Sequence, residues 1–168
     1  MGIAAWIFGA GAMIALFLIY QQKTRKGMLT AKLSADVFWV LHYFCLGGIA
    51  GMIPNFTGIF RELVFLQRKN KKWAASILWP IFFISLNLLL GLLSFSSPFD
   101  LLPLLGSAAV TAALWIDRPT LTKLISLPVS AAFLVYDIHV GSQIGIVNEA
   151  LSMLSIFIFF FKTWRTKK

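Results

Sequence analysis

The sequence has little that an enzyme or a disulfide-linked domain would need. Its 168 residues include a single cysteine, Cys45, which cannot form an intramolecular disulfide and has no companion at metal-ligand spacing. It has no Ser/His/Asp set in a plausible order, no paired histidines at ligand spacing and no phosphate-binding loop. We therefore predict that the protein is not an enzyme, binds no cofactor or metal, and does not use ATP directly.

Charged residues are also scarce, at 12% of the chain, and acids are outnumbered by fifteen Lys and Arg to six Asp and Glu. Apolar residues make up 59%. A soluble domain of this length cannot bury so much apolar surface, so lipid must be the solvent for most of the chain. The basic excess alone is compatible with nucleic acid, but the basic residues sort to one membrane face, and we predict no nucleic-acid partner.

Apolar runs divided by short polar breaks predict seven membrane-spanning helices. The predicted spans are Ile3–Tyr20, Leu33–Gly48, Met52–Leu66, Trp73–Phe95, Leu101–Ile116, Leu124–Val140 and Ile144–Phe161. The first has no preceding basic residue and more apolar length than a signal peptide, so we expect a retained helix. Pro54 is predicted in the first turn of the third span, where its missing N–H costs nothing.

The loop charges give an independent test of seven spans. The loops near Gly47–Gly51, Ser96–Asp100 and Gly141–Gln143 contain no Lys or Arg, and seven spans place all fifteen on the opposite side. The positive-inside rule assigns that side to the cytoplasm, which puts the N-terminus outside and the C-terminus inside. We expect anionic lipids as partners of this basic face.

Two segments of the chain match each other. In YFCLGGIAGMIPN (Tyr43–Asn55) and YDIHVGSQIGIVN (Tyr136–Asn148), Tyr precedes Gly by five and Asn by twelve positions. We predict one membrane domain made of triple-helix units at 1–72 and 99–168 joined by a linker helix at 73–98. One linker helix makes the two units parallel, about an axis along the membrane normal. A monomer can then be complete, and homo-oligomers stay open.

The sequence also resembles a known group of proteins. PNFTG (Pro54–Gly58) resembles the Pro-Asn-x-x-Gly that begins the third helix in SWEET sugar transporters and the PQ-loop (MtN3-like) superfamily, and the plan of the spans resembles theirs. The second half, from Leu101–Trp115 onward, looks more like the YgjV-type bacterial inner-membrane proteins. The resemblance implies an all-α, three-plus-one-plus-three bundle in a bacterial inner (plasma) membrane that moves a small, sugar-like solute by alternating access.

Four residues are predicted to bind that solute: Asn55, Asn148, Trp39 and Glu149. The repeat places the two asparagines at similar depth, and amides suit a neutral solute because they both donate and accept hydrogen bonds. The resemblance implies that Trp39 faces the solute, where its ring would form an apolar wall. The alternatives are asparagines that bond to backbone or to each other and hold helices together, and a lipid-facing or interfacial Trp39. Glu149 is alternatively a proton-coupling carboxylate, or is stabilised by the dipole at a helix N-terminus.

Other ionisable residues allow two interpretations. Asp36 and His42 in the second span are candidates for proton coupling; alternatively, Asp36 pairs with Lys32 and His42 bonds a neighbouring carbonyl. We expect Arg61 to reach the cytoplasmic surface by snorkelling, and Glu62 to pair with a basic residue. We also expect Asp137 and His139 to be solvated near the outer surface.

Two functions compete with transport. One is a non-transporting membrane protein that binds a partner or anionic lipid through its basic face. The other is a membrane-embedded enzyme for lipid-soluble substrates, with Glu149 or His42 as acid or base.

Overall fold

The computed structural model describes residues 2–21, 25–116 and 118–165, and these form seven α-helices and no β-strand. The helices are α1 (Ile3–Gln21), α2 (Arg25–Leu46), α3 (Ile49–Gln67), α4 (Leu78–Leu93), α5 (Leu101–Ile116), α6 (Pro119–Val140) and α7 (Gln143–Arg165). Short 3-10 segments at Lys72–Ala75 and Pro98–Asp100 precede α4 and α5. The prediction of an all-α chain with seven helices is confirmed.

The predicted spans differ from the helices mainly at their ends. α2 begins at Arg25 rather than Leu33, and α4 begins at Leu78 rather than Trp73 because Lys72–Ala75 forms a separate turn. Hydropathy locates the apolar part of a helix, whereas backbone hydrogen bonds continue through polar residues. Three predicted cytoplasmic residues lie outside the described residues: Lys23, Lys167 and Lys168.

The surface of the bundle is apolar and much of its interior is polar. Ile3, Leu78 and Leu93 are 81%, 68% and 77% exposed. The buried side chains include Asp36, His42, Arg61, Glu62, Asn87, Asp137, Ser142 and Asn148. A soluble protein shows the reverse arrangement, so lipid is the solvent that this surface fits.

Within the described residues, four helical stretches are long and apolar enough to cross a membrane: Ile49–Gln67, Pro98–Ile116, Leu121–Val140 and Gln143–Phe161. Ile3–Leu16 and Leu78–Leu93 are shorter apolar helices. α2 has 22 residues, a length of about 33 Å, and includes several charged residues. Several helices therefore suit a multi-pass membrane protein, and seven crossings stay a prediction.

Helix packing follows the chain. α2 packs against α1 and α3, α6 packs against α5 and α7, and α4 packs against α3 and α5. Contacts of α3 with α5 and of α1 with α7 join the first three helices to the last three. Side chains on these helices can therefore meet inside the bundle.

The turns after α2 and α6 share one structure. Gly47 and Gly141 have φ angles of 70° and 74°, a backbone conformation that L side chains rarely adopt. In each turn the N–H of the residue after the glycine donates back into the helix. Gly48 donates to the carbonyl of Tyr43 at 2.9 Å, and Ser142 donates to the carbonyl of Asp137 at 2.8 Å. Tyr43 and Asp137, which are 94 positions apart, thus occupy the same place in the last turn of their helices.

Pro54 lies inside α3, so the prediction that it occupies the first turn is wrong. α3 already begins at Ile49, and Pro54 has no N–H to give to the carbonyl of Ala50. The side-chain amide of the next residue, Asn55, donates to the carbonyl of Gly51 at 2.8 Å. Asn55 therefore adds a hydrogen bond to the helix where the proline interrupts it.

Candidate functional site

Polar side chains from α2, α6 and the turn between α6 and α7 meet beside the turns after α2 and α6. We call this group the turn cluster, and its members are His42, Tyr43, Tyr136, Asp137 and Ser142. The Tyr43 hydroxyl donates to Asp137 Oδ1 at 2.7 Å, and the Gly51 N–H donates to the Tyr136 hydroxyl at 2.9 Å. The two tyrosine rings lie 6.0 Å apart between centroids. These contacts connect the first three helices to the last three.

His42 connects α1 to the start of α7. It is fully buried, with Nδ1 2.8 Å from the Ala5 carbonyl oxygen and Nε2 2.8 Å from Ser142 Oγ. Because a carbonyl only accepts, Nδ1 must carry a hydrogen. The Gly145 N–H donates to the same Ser142 oxygen at 3.0 Å. The expected bond from His42 to a carbonyl is confirmed, and its part in proton coupling stays a prediction.

Asp137 is fully buried, so the prediction that it is solvated is wrong. Its Oδ2 has no hydrogen-bond partner among the described residues. α7 packs directly on the carboxyl group, because a Cβ added at Gly145 would lie 2.4 Å from its atoms. His139 is exposed as predicted and stacks on Phe99 with 4.3 Å between ring centroids. Proximity to a loop in sequence therefore does not reveal which side chain of the last turn faces inward.

A second group lies farther from these turns. We call it the charged cluster, and its members are Lys32, Asp36, Arg61, Glu62 and Thr111. Lys32 Nζ lies 2.8 Å from Asp36 Oδ1 and 3.6 Å from Glu62 Oε1. Arg61 donates Nε and Nη2 to Glu62 at 2.9 and 3.1 Å, and Nη1 to the Thr111 hydroxyl at 2.7 Å. Two cations balance two carboxylates, as burial in lipid requires.

The charged cluster tests the predictions made from the sequence for Asp36, Glu62 and Arg61. The pairing of Asp36 with Lys32 is confirmed, and Glu62 pairs with basic residues as expected, but inside the bundle rather than at its cytoplasmic surface. The prediction that Arg61 snorkels to the surface is wrong, because its donors bond Glu62 and Thr111 inside the bundle and it is 3% exposed. Sequence reasoning missed Thr111, since a threonine in an apolar helix carries no signal of its partner.

The predicted solute-binding residues lie between the two clusters in depth along the helix axes, and we call this depth the middle level. Helix rise places Trp39, Asn55 and Glu149 each about 9–11 Å from the turn-side end of its own helix. The same measure gives about 5 Å for Asp137 and about 18 Å for Arg61.

Side-chain contacts define this middle level. Trp39 is 6% exposed, stacks on Tyr43 with 5.7 Å between ring centroids and meets His42 edge-on at 5.2 Å. It is therefore an interior residue, and the lipid-facing alternative is wrong. The amide of Asn148 is buried and donates to Glu149 Oε1 at 3.0 Å.

The two asparagines bond within their own helices. Asn55 donates to Gly51 on α3, and Asn148 to the adjacent Glu149 on α7. The expected alternative of a bond to backbone is thus confirmed for Asn55, whereas neither bond joins the two asparagines or holds two helices together. Glu149 lies beyond the first turn of α7, so the interpretation of a helix N-terminal carboxylate is wrong.

A comparison with protein-family models identifies a family that the chain matches. The family model Imp-YgjV, described as bacterial inner membrane protein, matches residues 3–167. Comparisons with curated proteins and with solved structures find no significant match. The matched region includes both clusters and the level between them.

Proposed function

The chain belongs to the Imp-YgjV family of bacterial inner membrane proteins, and from that premise we propose that it carries a small, uncharged polar solute by alternating access. The observation that carries this proposal is a pair of contacts between the first three and the last three helices, at two levels. Tyr43 bonds Asp137 at one level, and Arg61 bonds Thr111 at the other. A carrier needs two closures that open in turn on either side of its solute.

The groups between the two closures favour a neutral solute. The asparagine amides donate and accept hydrogen bonds, Glu149 accepts, and Trp39 offers an apolar ring face. The charges of the charged cluster already neutralise one another, so no full charge there calls for an ionic solute. Hydroxyl-rich or amide-bearing molecules match this chemistry.

We also propose that the two triple-helix units are repeats. In this proposal the number of positions between equivalent residues is one larger than in the sequence match. The glycine turns and the Tyr43–Asp137 pair both favour an offset of 94 positions. In this register Asn55 corresponds to Glu149, not to Asn148. Equivalent residues then meet near the axis between the units, which is where solute sites of repeat transporters lie.

The proposed orientation puts the turn cluster toward the outside and the charged cluster toward the cytoplasm. Exposed Lys69, Lys71 and Lys72 lie beyond the charged cluster in the chain, at the end where we expect anionic lipid head groups. The bundle needs no second copy to complete the middle level, so a monomer is sufficient for this mechanism.

Solute entry into proteoliposomes tests the transport proposal. We expect liposome swelling to report uptake of at least one solute from a panel of neutral sugars, nucleosides and small amides. Asn55→Ala and Asn148→Ala should each slow that uptake about fivefold or more, because one hydrogen bond contributes about 1 kcal/mol. Asn70→Ala is the matched control, since Asn70 is exposed in the loop after α3.

Uptake unchanged in both site variants, with the protein still folded, would reject the proposed site. Absence of uptake across the panel, with lipid retention lost when Lys69, Lys71 and Lys72 are neutralised, would favour the non-transporting alternative. Chemical turnover of a lipid-soluble substrate without uptake would favour the enzyme.

A further inference from the structure

We propose that Asp137, Ser142 and His42 together bind one exchangeable proton, and that this proton holds the turn cluster closed. This inference rests on the proposed alternating access, because it identifies what controls one of the two closures. It is carried by the geometry of three side chains from α2, α6 and the turn before α7.

The first observation is the unpartnered oxygen of Asp137. The carboxyl is fully buried, Tyr43 donates to Oδ1, and Oδ2 has no hydrogen-bond partner among the described residues. None of the ion pairs formed within the described part of the chain includes Asp137. A carboxyl placed in this way has an open position for a proton on Oδ2.

The second observation is a path for that proton. Ser142 Oγ lies 2.8 Å from His42 Nε2 and accepts from the Gly145 N–H at 3.0 Å, and the Asp137 carboxyl packs against the same Gly145. Nδ1 of His42 is committed to the Ala5 carbonyl, so Nε2 is the nitrogen that can take or release a hydrogen.

One proton can reside at either end of this path, on Asp137 or on His42. With a protonated Asp137, Ser142 donates its hydroxyl hydrogen to a neutral His42. When the carboxyl gives its hydrogen to Ser142 and Ser142 gives its own to Nε2, the result is a carboxylate and an imidazolium. Either arrangement is neutral overall, and removing the proton leaves one negative charge.

The surroundings cannot neutralise that negative charge. In the described part of the chain, the ionisable groups around the site are phenols and carboxyls, apart from His42 itself: Tyr43 on α2, Tyr136 on α6 and Glu149 on α7, with Asp100 of the segment before α5 next to Tyr136. A buried unpaired charge is unfavourable and is relieved by water, so loss of the proton should open the turn cluster to solvent. The closed form then binds the additional proton, which makes closure favourable at low pH and lost as pH rises.

A distance measurement across the turn cluster tests the proposal without any solute. Spin labels are placed on the native, exposed Cys45 of α2 and on Ile138→Cys, a position 61% exposed on α6. We expect the short-distance population to give way to a longer distance between about pH 5 and about pH 8. The ratio of the two populations should change about tenfold per pH unit where one proton titrates.

Two variants and one control decide the outcome. Asp137→Asn and His42→Gln should abolish the pH dependence; Gln can still donate to Ala5 and accept from Ser142, which preserves folding. His139→Gln should retain it, since His139 is exposed on the same helix. A distance independent of pH, a response kept in both site variants, or a response lost in His139→Gln would each overturn the proton site. None of these outcomes bears on solute uptake, which the swelling assay measures separately.

Discussion

Replacing Glu62 with alanine is expected to lower the free energy of unfolding by about 3–5 kcal/mol. Glu62 is fully buried and accepts two hydrogen bonds from Arg61, with Lys32 Nζ 3.6 Å away. Its loss leaves Asp36 as the one carboxylate of the charged cluster against Lys32 and Arg61, which is an excess of one positive charge inside the bundle. Unfolding in mixed detergent micelles with increasing SDS measures the change.

Two further variants separate charge from packing. Leu63→Ala removes a neighbouring side chain that is 47% exposed, and we expect a change below about 1 kcal/mol. The double variant Arg61→Met/Glu62→Met removes one charge of each sign and leaves Lys32 paired with Asp36. It should recover most of the lost stability, since apolar residues often replace a buried ion pair without loss. A Glu62→Ala variant as stable as Leu63→Ala would show that the cluster is not buried.

Replacing Gly145 with alanine should destabilise the protein by about 1–3 kcal/mol through overpacking. The added methyl would lie 2.4 Å from the Asp137 carboxyl, which Tyr43 holds in place at 2.7 Å. The carboxyl must therefore move or α7 must shift outward. We also expect the distance between labels at Cys45 and Ile138→Cys to lengthen at every pH. Thermal denaturation and the label distance measure the two effects.

Gly106→Ala is the matched control for this prediction. A Cβ there would lie 3.1 Å from the ring of Phe133 and 3.2 Å from Val129, both side chains that can give way slightly. The gain in helix propensity, up to about 1 kcal/mol, offsets the crowding. If Gly145→Ala were no more destabilising than Gly106→Ala, direct packing of α7 on Asp137 would be contradicted.

The sequence predicts the helices better than their interior contacts. Hydropathy locates all seven helices because each has a continuous apolar stretch, and it misplaces the start of α2 because charged residues continue that helix. Local charge spacing predicts the Lys32–Asp36 pair, which lies one helical turn apart.

Sequence patterns do not predict the contacts between segments that are far apart in the chain. The bond from Arg61 to Thr111 joins residues 50 positions apart, and that from Tyr43 to Asp137 joins residues 94 positions apart. Nothing local distinguishes an aspartate that turns inward at a helix end from one that faces water. The Tyr-Asp pair at 136–137 inside the matched segment is the one signal that could have directed attention there.

The position of the two termini tests the central claim most directly, because two parallel triple-helix units joined by one linker helix require an odd number of crossings. A fluorescent protein that matures only in the cytoplasm is fused after Lys168, and an epitope tag is placed before Met1. We predict fluorescence at the C-terminus and antibody binding to the tag from the periplasmic side of intact spheroplasts. Absence of fluorescence at the C-terminus, with activity of a periplasmic phosphatase fused there in its place, would contradict the account, as would two termini on one side.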